Sequence, residues 1–552
     1  MSAFDETYDW VVVGSGAGSF VSALVMRKAG KSVLILEKTP VVGGTTAKSG
    51  GVIWVPNNRF IRAAEPDESA EKGLAYLNAV CENLPGSSPE KRAAYVSEAT
   101  KMIDFLIDEG VAFERGSEFW PDYYDDAPGG CKTSRCVVAK PFNKKELGDW
   151  EPKLRQGFLE MKVKLDEGMK FAYLGKSWAI TWSFLKTGVG MVIGKLLGQH
   201  WVAAGAALQG RMLQAALKAG VEVRTDTPVT ELIVEGGKVI GVRTDKGTIG
   251  AKLGVLVNAG GFAQNQAMRD QYLPGTQAKW SNVPEGDTGD MHGEIERAGG
   301  VLAQMDQMVG YQTTQMPGYE QGYVKPPIQG STGKPHAIIV DQSGKRYMNE
   351  GGSYELFCQT MRERNKTVPA VPSWAIFDAQ FAAKYPIGGV KLKKYYAMWK
   401  AADYLKEGDT VDGLALEIGC DPRVLRETID RWNGFVDANH DADFNRGARK
   451  YDQWLGDPFH KPSPCLGRID KGPYYAVDVV PGDVSTYGGA VTDIEGRVTR
   501  VDGSVIDGLY ACGVSTASMM GGVYPGAGAS IGPSMAWGYL AARHAAGVGN
   551  RF

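Results

Sequence analysis

The residues best suited to hold a phosphate-rich ligand lie at the start of the chain. Asp9–Val13 (DWVVV) reads as a buried strand. Gly14-Ser-Gly-Ala-Gly-Ser19 follows it, and helical spacing then runs to Gly30. Glycines at 14 and 16 permit a tight turn and a close approach of backbone to a pyrophosphate, and the helix start supplies free N–H groups. Glu37 closes the next apolar strand, Ser32–Glu37 (SVLILE), where a carboxylate accepts hydrogen bonds from ribose hydroxyls and repels a 2′-phosphate. The third glycine of the usual fingerprint is replaced by Ser19, with Gly18 beside it. Candidate contacts in this unit are Gly14, Ser15, Gly16, Ala17, Glu37 and Lys38. A second cluster, Val42-Gly-Gly-Thr-Thr-Ala-Lys-Ser-Gly-Gly51, is dense enough in small residues for backbone to lie along a ring system. It favours a flavin over a nicotinamide dinucleotide and adds Gly44, Thr45, Thr46, Ser49, Gly50 and Gly51.

These motifs need a parallel sheet behind them. The opening is a βαβ unit. Helical spacing over Pro66–Glu109 breaks near Pro85-Gly86, and a helix over Leu208–Ala219 stops at Gly220. Val221–Arg224, Val229–Val234, Val239–Thr244 and Leu253–Asn258 read as strands, the middle two joined by a turn at Glu235-Gly-Gly237. Gly508–Cys512 is another buried strand, and Pro533–Ala546 a closing helix started by its proline. The expected fold is α/β: a Rossmann-like dinucleotide-binding domain built from both chain ends (1–275 and 484–552), with an α+β catalytic domain inserted over 276–483.

Composition narrows the function. The chain has 552 residues, net charge −2, and 72 glycines, about 13% against a usual ~7%. Such a charge argues against general nucleic-acid binding. Seven cysteines do not make a disulfide scaffold, and with only six histidines a metal site is not expected. No uncharged apolar run reaches the ~20 residues of a membrane span. An acidic N-terminus running straight into a strand reads as lacking a signal peptide, so a cytoplasmic protein is expected.

Val42–Gly51, Val257-Asn-Ala-Gly-Gly261 and the closing Gly521–Gly532 segment together resemble the flavoprotein family of fumarate reductases and 3-ketosteroid dehydrogenases. The resemblance covers most of 9–60, 205–262 and 484–545. It implies FAD, and adds Val229, Ala259, Gly260, Gly513, Ser530 and Ile531 as cofactor contacts. Relatives with covalent flavin carry a histidine just before the second glycine cluster. Here the first histidine is His200, so non-covalent FAD is implied. The start of the closing helix is expected to stabilise negative charge on the reduced flavin.

Val523-Tyr-Pro-Gly-Ala-Gly528 is similar to the 3-ketosteroid Δ1-dehydrogenases. The resemblance implies that Tyr524 and the backbone N–H of Gly528 hold the C3 carbonyl oxygen. Lys345-Arg-Tyr-Met-Asn-Glu-Gly-Gly-Ser-Tyr354 resembles the family's G-x-R-[FY]-x-N-E segment, making Tyr354 the acceptor of the C2 proton. Trp120-Pro-Asp-Tyr-Tyr124 resembles its D-Y-[YH]-P-E segment, with Tyr123 assisting Tyr354 and Tyr124 a rival for that role. Asp125 stands where the family has proline. The implied reaction is 1,2-desaturation of a 3-ketosteroid, with hydride passing from C1 to the flavin and an external acceptor, a quinone or other carrier, reoxidising it. The alternatives are a 3-oxo-5α-steroid 4-dehydrogenase, whose tyrosine is followed two residues later by serine where this chain has Gly526, and a flavin-dependent fumarate or enone reductase. The latter needs a cationic clamp that His292, His336 and His440 do not supply by motif; His292, in Asp287-Thr-Gly-Asp-Met-His292, reads as structural or cofactor-adjacent. An electron-transfer subunit lacks its iron–sulfur cysteine spacing.

Gly168–Val221 contains no acidic residue, and interleaves Lys170, Lys176, Lys186 and Lys195 with Trp178, Trp182, Phe184 and Trp201. Phe142–His200 reads as an insertion whose 165–200 stretch suits a membrane surface, a partner interface or a lid.

Overall fold

The computed structural model describes residues 4–117, 120–319, 324–549 and 551. An eight-stranded sheet carries the opening motifs, and both ends of the chain build it. Its main path runs Arg497–Thr499, Val505–Ala511, Gly247–Val257, Glu6–Val13, Val33–Leu36, Glu222–Arg224. The central pairings are parallel: Val13 lies between Leu36 and Val257. Trp10–Val13 are buried because both faces are covered, which explains the unbroken apolar run: Trp10 and Val12 share a core with helices Ala17–Lys28 and Ile531–Ala546, Val11 and Val13 one with strands Val229–Glu235 and Lys238–Thr244. Val229–Glu235 and Lys238–Thr244 form a hairpin on this sheet, closed at Gly236 and Gly237, both at positive φ as a two-residue turn requires.

Helix Ala17–Lys28 and the closing helix Ile531–Ala546 pack through glycine. A Cβ on Gly18 would strike the Ser534 carbonyl, and one on Gly538 the Gly18 carbonyl. Gly18 therefore provides the close packing that the fingerprint assigns to its third glycine, and Ser19 is free to bond the Asn258 side chain at 3.0 Å. The closing helix begins at Ile531, with Ser530 as N-cap, two residues before the expected start at Pro533. A proline is tolerated anywhere in a first turn, so it marks the start only loosely.

The middle of the chain forms a separate five-stranded antiparallel sheet, ordered Met308–Thr313, Tyr474–Thr486, Ser373–Asp378, Ala337–Val340, with Lys406–Gly408 also paired to Tyr474–Thr486. Trp399, Phe377 and Val477 belong to its own core.

The stretch after Phe142 is an excursion pinned at its base. Phe142 pairs with Val202 and Asn143 with Trp201. Between them lies helix Trp178–Leu196, of which Gly194 alone is buried. Trp178 is 86% exposed, Trp182 68% and Leu196 82%. The excursion is tied to the middle sheet's side by Tyr173 Oη donating to the Gly456 carbonyl (2.8 Å) and by a Lys176–Asp457 ion pair (2.6 Å). Among the described residues no helix is long and apolar enough to cross a membrane, and no group of three ligands is placed to hold a metal.

Candidate active site

The glycine cradle is a set of backbone approaches that admit no side chain. Gly14 has φ +95°, and a Cβ there would strike the Asn258 carbonyl; a Cβ on Gly16 would lie 2.9 Å from the Asn258 amide. Ser15 Oγ donates to Glu37 (2.5 Å) and accepts from the Gly43 N–H (2.9 Å). The other Glu37 oxygen accepts from Thr39 N and Oγ1, both at 2.9 Å. The carboxylate is thus aimed before any ribose arrives. Lys38 is turned away: its ammonium holds Thr288 Oγ1 (2.7 Å) and Asp290 (2.6 Å) at the start of helix Asp290–Arg297.

Gly43, at φ +111°, caps the short helix Gly44–Lys48, which contains Thr45 and Thr46. Ser49 Oγ accepts from Gly51 N (3.0 Å), while Gly51 meets the backbone of Gly205, so this glycine packs helix Ala204–Lys218 against the cradle. Gly50 faces Leu165 of the excursion. Val229, the first residue of the hairpin, is buried. Ser515 Oγ accepts from Ala259 N and donates to the Gly260 carbonyl, and Gly513 at φ +64° abuts Asn258. His292 is buried against Phe262, with Nε2 at 3.2 Å from the Gly488 carbonyl, which makes it a packing residue. Both polar atoms of buried Gln209, beside Gly43, and Thr486 Oγ1 have no partner in the protein. Unsatisfied buried atoms along a cradle that excludes Cβ atoms fit a bound dinucleotide.

Beyond this cradle three tyrosines from three remote segments meet. Ring centroids are 5.4 Å apart for Tyr123–Tyr354, 5.4 Å for Tyr354–Tyr524 and 5.9 Å for Tyr123–Tyr524. Each is fixed by buried polar groups. Tyr123 N donates to the Pro525 carbonyl (3.0 Å), and neighbouring Asp122 accepts from Trp54 Nε1 and Arg135, each at 2.7 Å. Tyr354 opens helix Tyr354–Arg364 just after a buried network of Arg346 with Glu350 (2.8 Å) and Asp441 (2.9 Å), so the R-x-x-x-E spacing is structural. Tyr524 Oη lies 3.0 Å from Ser530 Oγ. Gly528 has φ +91°, and a Cβ there would strike the Val52 carbonyl.

Burial pushes the Tyr123 and Tyr354 phenols well above their ordinary value. It also raises Tyr524, against which hydrogen bonds from Ser530 and Tyr354 and the N–H groups of Ser530 and Gly528 pull back. All three are neutral in the resting fold. Tyr524 is thereby a good donor, and Tyr354 accepts a proton only with help from its neighbours.

Residues 9–531 match the FAD binding domain family. The chain is 34% identical to a 3-oxosteroid 1-dehydrogenase of Mycolicibacterium smegmatis, over 97% of each chain. This chain belongs to the 3-ketosteroid Δ1-dehydrogenase family of FAD-binding flavoproteins. Its cofactor is FAD, which the cradle fits. A solved 3-ketosteroid Δ1-dehydrogenase of Sterolibacterium denitrificans, in complex with 1,4-androstadiene-3,17-dione, superposes with TM-score 0.91 at 31% identity, covering 98% of this chain and all of that one. A 4-oxocyclohexanecarboxylate 2-dehydrogenase of Sinomonas cyclohexanicum is 33% identical over 98% of this chain and 93% of its own. The 3-ketosteroid Δ4-(5α)-dehydrogenase of Rhodococcus jostii shares the fold, with TM-score 0.67 at 20% identity, covering 99% of this chain and 98% of that one.

Members of the cluster that sequence reasoning missed are Tyr451 and Tyr311. Tyr451 lies 4.2 Å from Tyr123, and Tyr311 lies 5.3 Å from Tyr354, by ring centroid. One signal was present. Asp125, at the proline position of the D-Y-[YH]-P-E pattern, accepts from the N–H groups of Lys450 (3.2 Å) and Tyr451 (3.1 Å), docking helix Lys450–Leu455 onto the tyrosines.

Proposed function

We propose that the enzyme removes the hydrogens on C1 and C2 of a 3-ketosteroid. The observation that carries this reading is the meeting of the Tyr524 and Tyr354 rings, centroids 5.4 Å apart, with Gly528 four residues beyond Tyr524. Two neutral donors on the C3 oxygen, the Tyr524 hydroxyl and the Gly528 N–H, polarise the carbonyl and stabilise an enolate as it forms. Tyr354, with Tyr123 against it, takes the C2 proton. Bound FAD, held without a covalent link, supplies the oxidant that accepts hydride from C1. An external carrier of quinone type then reoxidises the enzyme. In this reading the two chain ends hold the cofactor and residues 276–483 cover the steroid. Cofactor contacts run along Gly14–Ala17, Glu37, Gly44–Gly51 and Ser530–Ile531.

Gly526 favours this reading over 4,5-desaturation. A Cβ there would lie 2.5 Å from the Trp54 indole, so the serine of the rival pattern does not fit. The test is anaerobic mixing with 4-androstene-3,17-dione. Bleaching of the flavin with a 1,4-diene product supports it; bleaching only by a 5α-reduced 3-ketosteroid overturns it in favour of the Δ4 reaction.

The helix Trp178–Leu196 is assigned to a membrane surface, where sterol substrates dissolve. Its exposed Trp178, Trp182 and Leu196, together with Lys186 and Lys195 and no acid, suit an anionic interface. Deleting 165–200 is expected to leave FAD bound and abolish co-sedimentation with liposomes; unchanged sedimentation removes this assignment.

A further inference from the structure

Helix Lys450–Leu455 carries Tyr451 into the tyrosine cluster, yet it is only six residues long. A helix of that length does not hold itself together in water, so its position is set by what grips it. Its inner face packs on the site. Trp454 lies 5.9 Å from Trp120 by ring centroid, and the Tyr451 hydroxyl accepts from Gln329 Nε2 (3.1 Å). Asp452 accepts from Asn349 Nδ2 (3.0 Å), in the segment that leads to Tyr354. Its first N–H groups are met by Asp125. Its far end is met by a different part of the chain. The carbonyls of Leu455 and Gly456 lie past the last bond of the helix, where a partner must come from outside. The Lys334 ammonium donates to both, at 2.5 and 2.9 Å. Tyr173 Oη, from the excursion, donates to the Gly456 carbonyl (2.8 Å) and accepts from Lys334 (2.9 Å). Asp457, the next residue, accepts from Lys176 of the excursion (2.6 Å) and from Tyr385 Oη (2.7 Å). Three successive residues are therefore gripped, and the excursion supplies a group to two of them.

We propose that Tyr173 and Lys176 are positioning residues: the excursion fixes the far end of the helix that holds Tyr451 against Tyr123, and so keeps the tyrosine cluster in register for proton transfer. This rests on the reading of Tyr123 and Tyr354 under the proposed function. The grip is one interlocked unit, because both ammonium groups also lie over its rings. Lys334 Nζ is 5.2 Å from the Tyr173 centroid and Lys176 Nζ 5.0 Å from that of Tyr385. Asp457 is buried, and Lys176 is its ion-pair partner, so removing that lysine leaves a buried charge without its counter-ion. Tyr451 and Leu455 are one helical turn apart, about 6 Å along the axis, so a shift at the gripped end reaches the Tyr451 ring with little loss. The exposed helix Trp178–Leu196 starts two residues after Lys176, so the same grip fixes where that helix leaves the protein.

The experiment uses the full-length enzyme with FAD bound, its content confirmed from the flavin spectrum. Tyr173→Phe combined with Lys176→Met keeps both side-chain bodies and removes the hydroxyl and the charge. With 4-androstene-3,17-dione, kcat of this pair is expected to fall about 5- to 20-fold while KM changes less than about twofold, because the helix is displaced and steroid binding is not. In a Tyr451→Ala background the same pair is expected to cost less than about twofold, since no ring is left to misplace. Wild-type kcat in the pair overturns the proposal, as does a fall that is undiminished in the Tyr451→Ala background. A rise in KM with kcat intact overturns it too, and so does a fall in activity that only follows loss of FAD. If Tyr451→Ala does not fold, kcat and KM of the pair still decide. Tyr354→Phe separates the two levels. If it turns over like wild type, the proton-acceptor reading is wrong; if it is inactive while the pair keeps wild-type kcat, the role of the excursion alone falls.

Discussion

The cradle and the tyrosine cluster solve opposite problems. The cradle is local and made of absences. Gly14, Gly16 and Gly18 sit within one turn, and their work is to leave room for Asn258, for helix Ile531–Ala546 and for a pyrophosphate. The cluster is non-local and made of presences. Tyr123, Tyr354 and Tyr524 come from far along the chain, and each is held by a buried polar network of its own. A cradle of this kind tolerates no added atom, whereas the cluster fails by loss of one hydroxyl or by a small displacement.

The largest effect belongs to the cradle. Gly14→Ala forces a Cβ into the Asn258 carbonyl at φ +95°. Purified protein is expected to be colourless and inactive, as read from flavin absorbance. A yellow Gly14→Ala enzyme would show that the cradle yields. Next comes the cluster. Tyr524→Phe keeps ring packing and removes one donor, so kcat is expected to fall about 100- to 1,000-fold with FAD fully bound. Loss of FAD in that variant would mean that the two regions are not separable.

A smaller effect is expected from Asp125→Ala. It frees the N–H groups of Lys450 and Tyr451 and loosens Tyr451 from Tyr123 without touching the Tyr354–Tyr524 pair. A fall in kcat of about tenfold is expected, with the steroid KM little changed. A KM effect with kcat intact would make Asp125 a binding-site residue instead.

The same contrast decides how much was legible from the sequence. Gly14–Glu37 could be read because strand, turn, helix and acid follow in one short stretch, and each position has a local physical reason. Tyr354 and Tyr524 were legible only through resemblance, since nothing in their local spacing brings them together. Tyr451 was not legible at all: its link to the site is the Asp125 carboxylate, more than 300 residues away in sequence. The substitution of proline by Asp125 was visible, but its meaning lies in the helix that it caps. Composition marked only part of the excursion: the acid-free stretch 168–221 takes in the exposed helix Trp178–Leu196 but runs on into the buried helix Ala204–Lys218, and six acids lie in the rest of 142–200. The start of the closing helix was misplaced because Pro533 is compatible with several first-turn positions while Ser530, the residue that caps it, carries no side-chain cap bond.

Asp287 gives the smallest expected effect and the finest test of whether cradle and middle sheet stand or fall together. It is buried where the two regions meet, accepting from Gly261 N and Ala263 N on the cradle side, near Asp483 on the middle sheet. Burial is the main cause of a rise to about 7, with Asp483 adding to it and the two N–H groups opposing. A folded value above the unfolded one means that this acid favours folding fully at pH below about 4. The contribution is lost as pH rises through about 7, because the unfolded chain ionises freely and the folded one does not. Asp287→Asn cannot ionise, so the difference in Tm between variant and wild type is expected to move in the variant's favour between pH 5 and pH 8, by a few degrees at most. A single transition, with FAD released at the same temperature, would make the two regions one cooperative unit. Two transitions, with only the later one sensitive to Asp287→Asn, would show that the cradle melts independently of the sheet that covers the tyrosines.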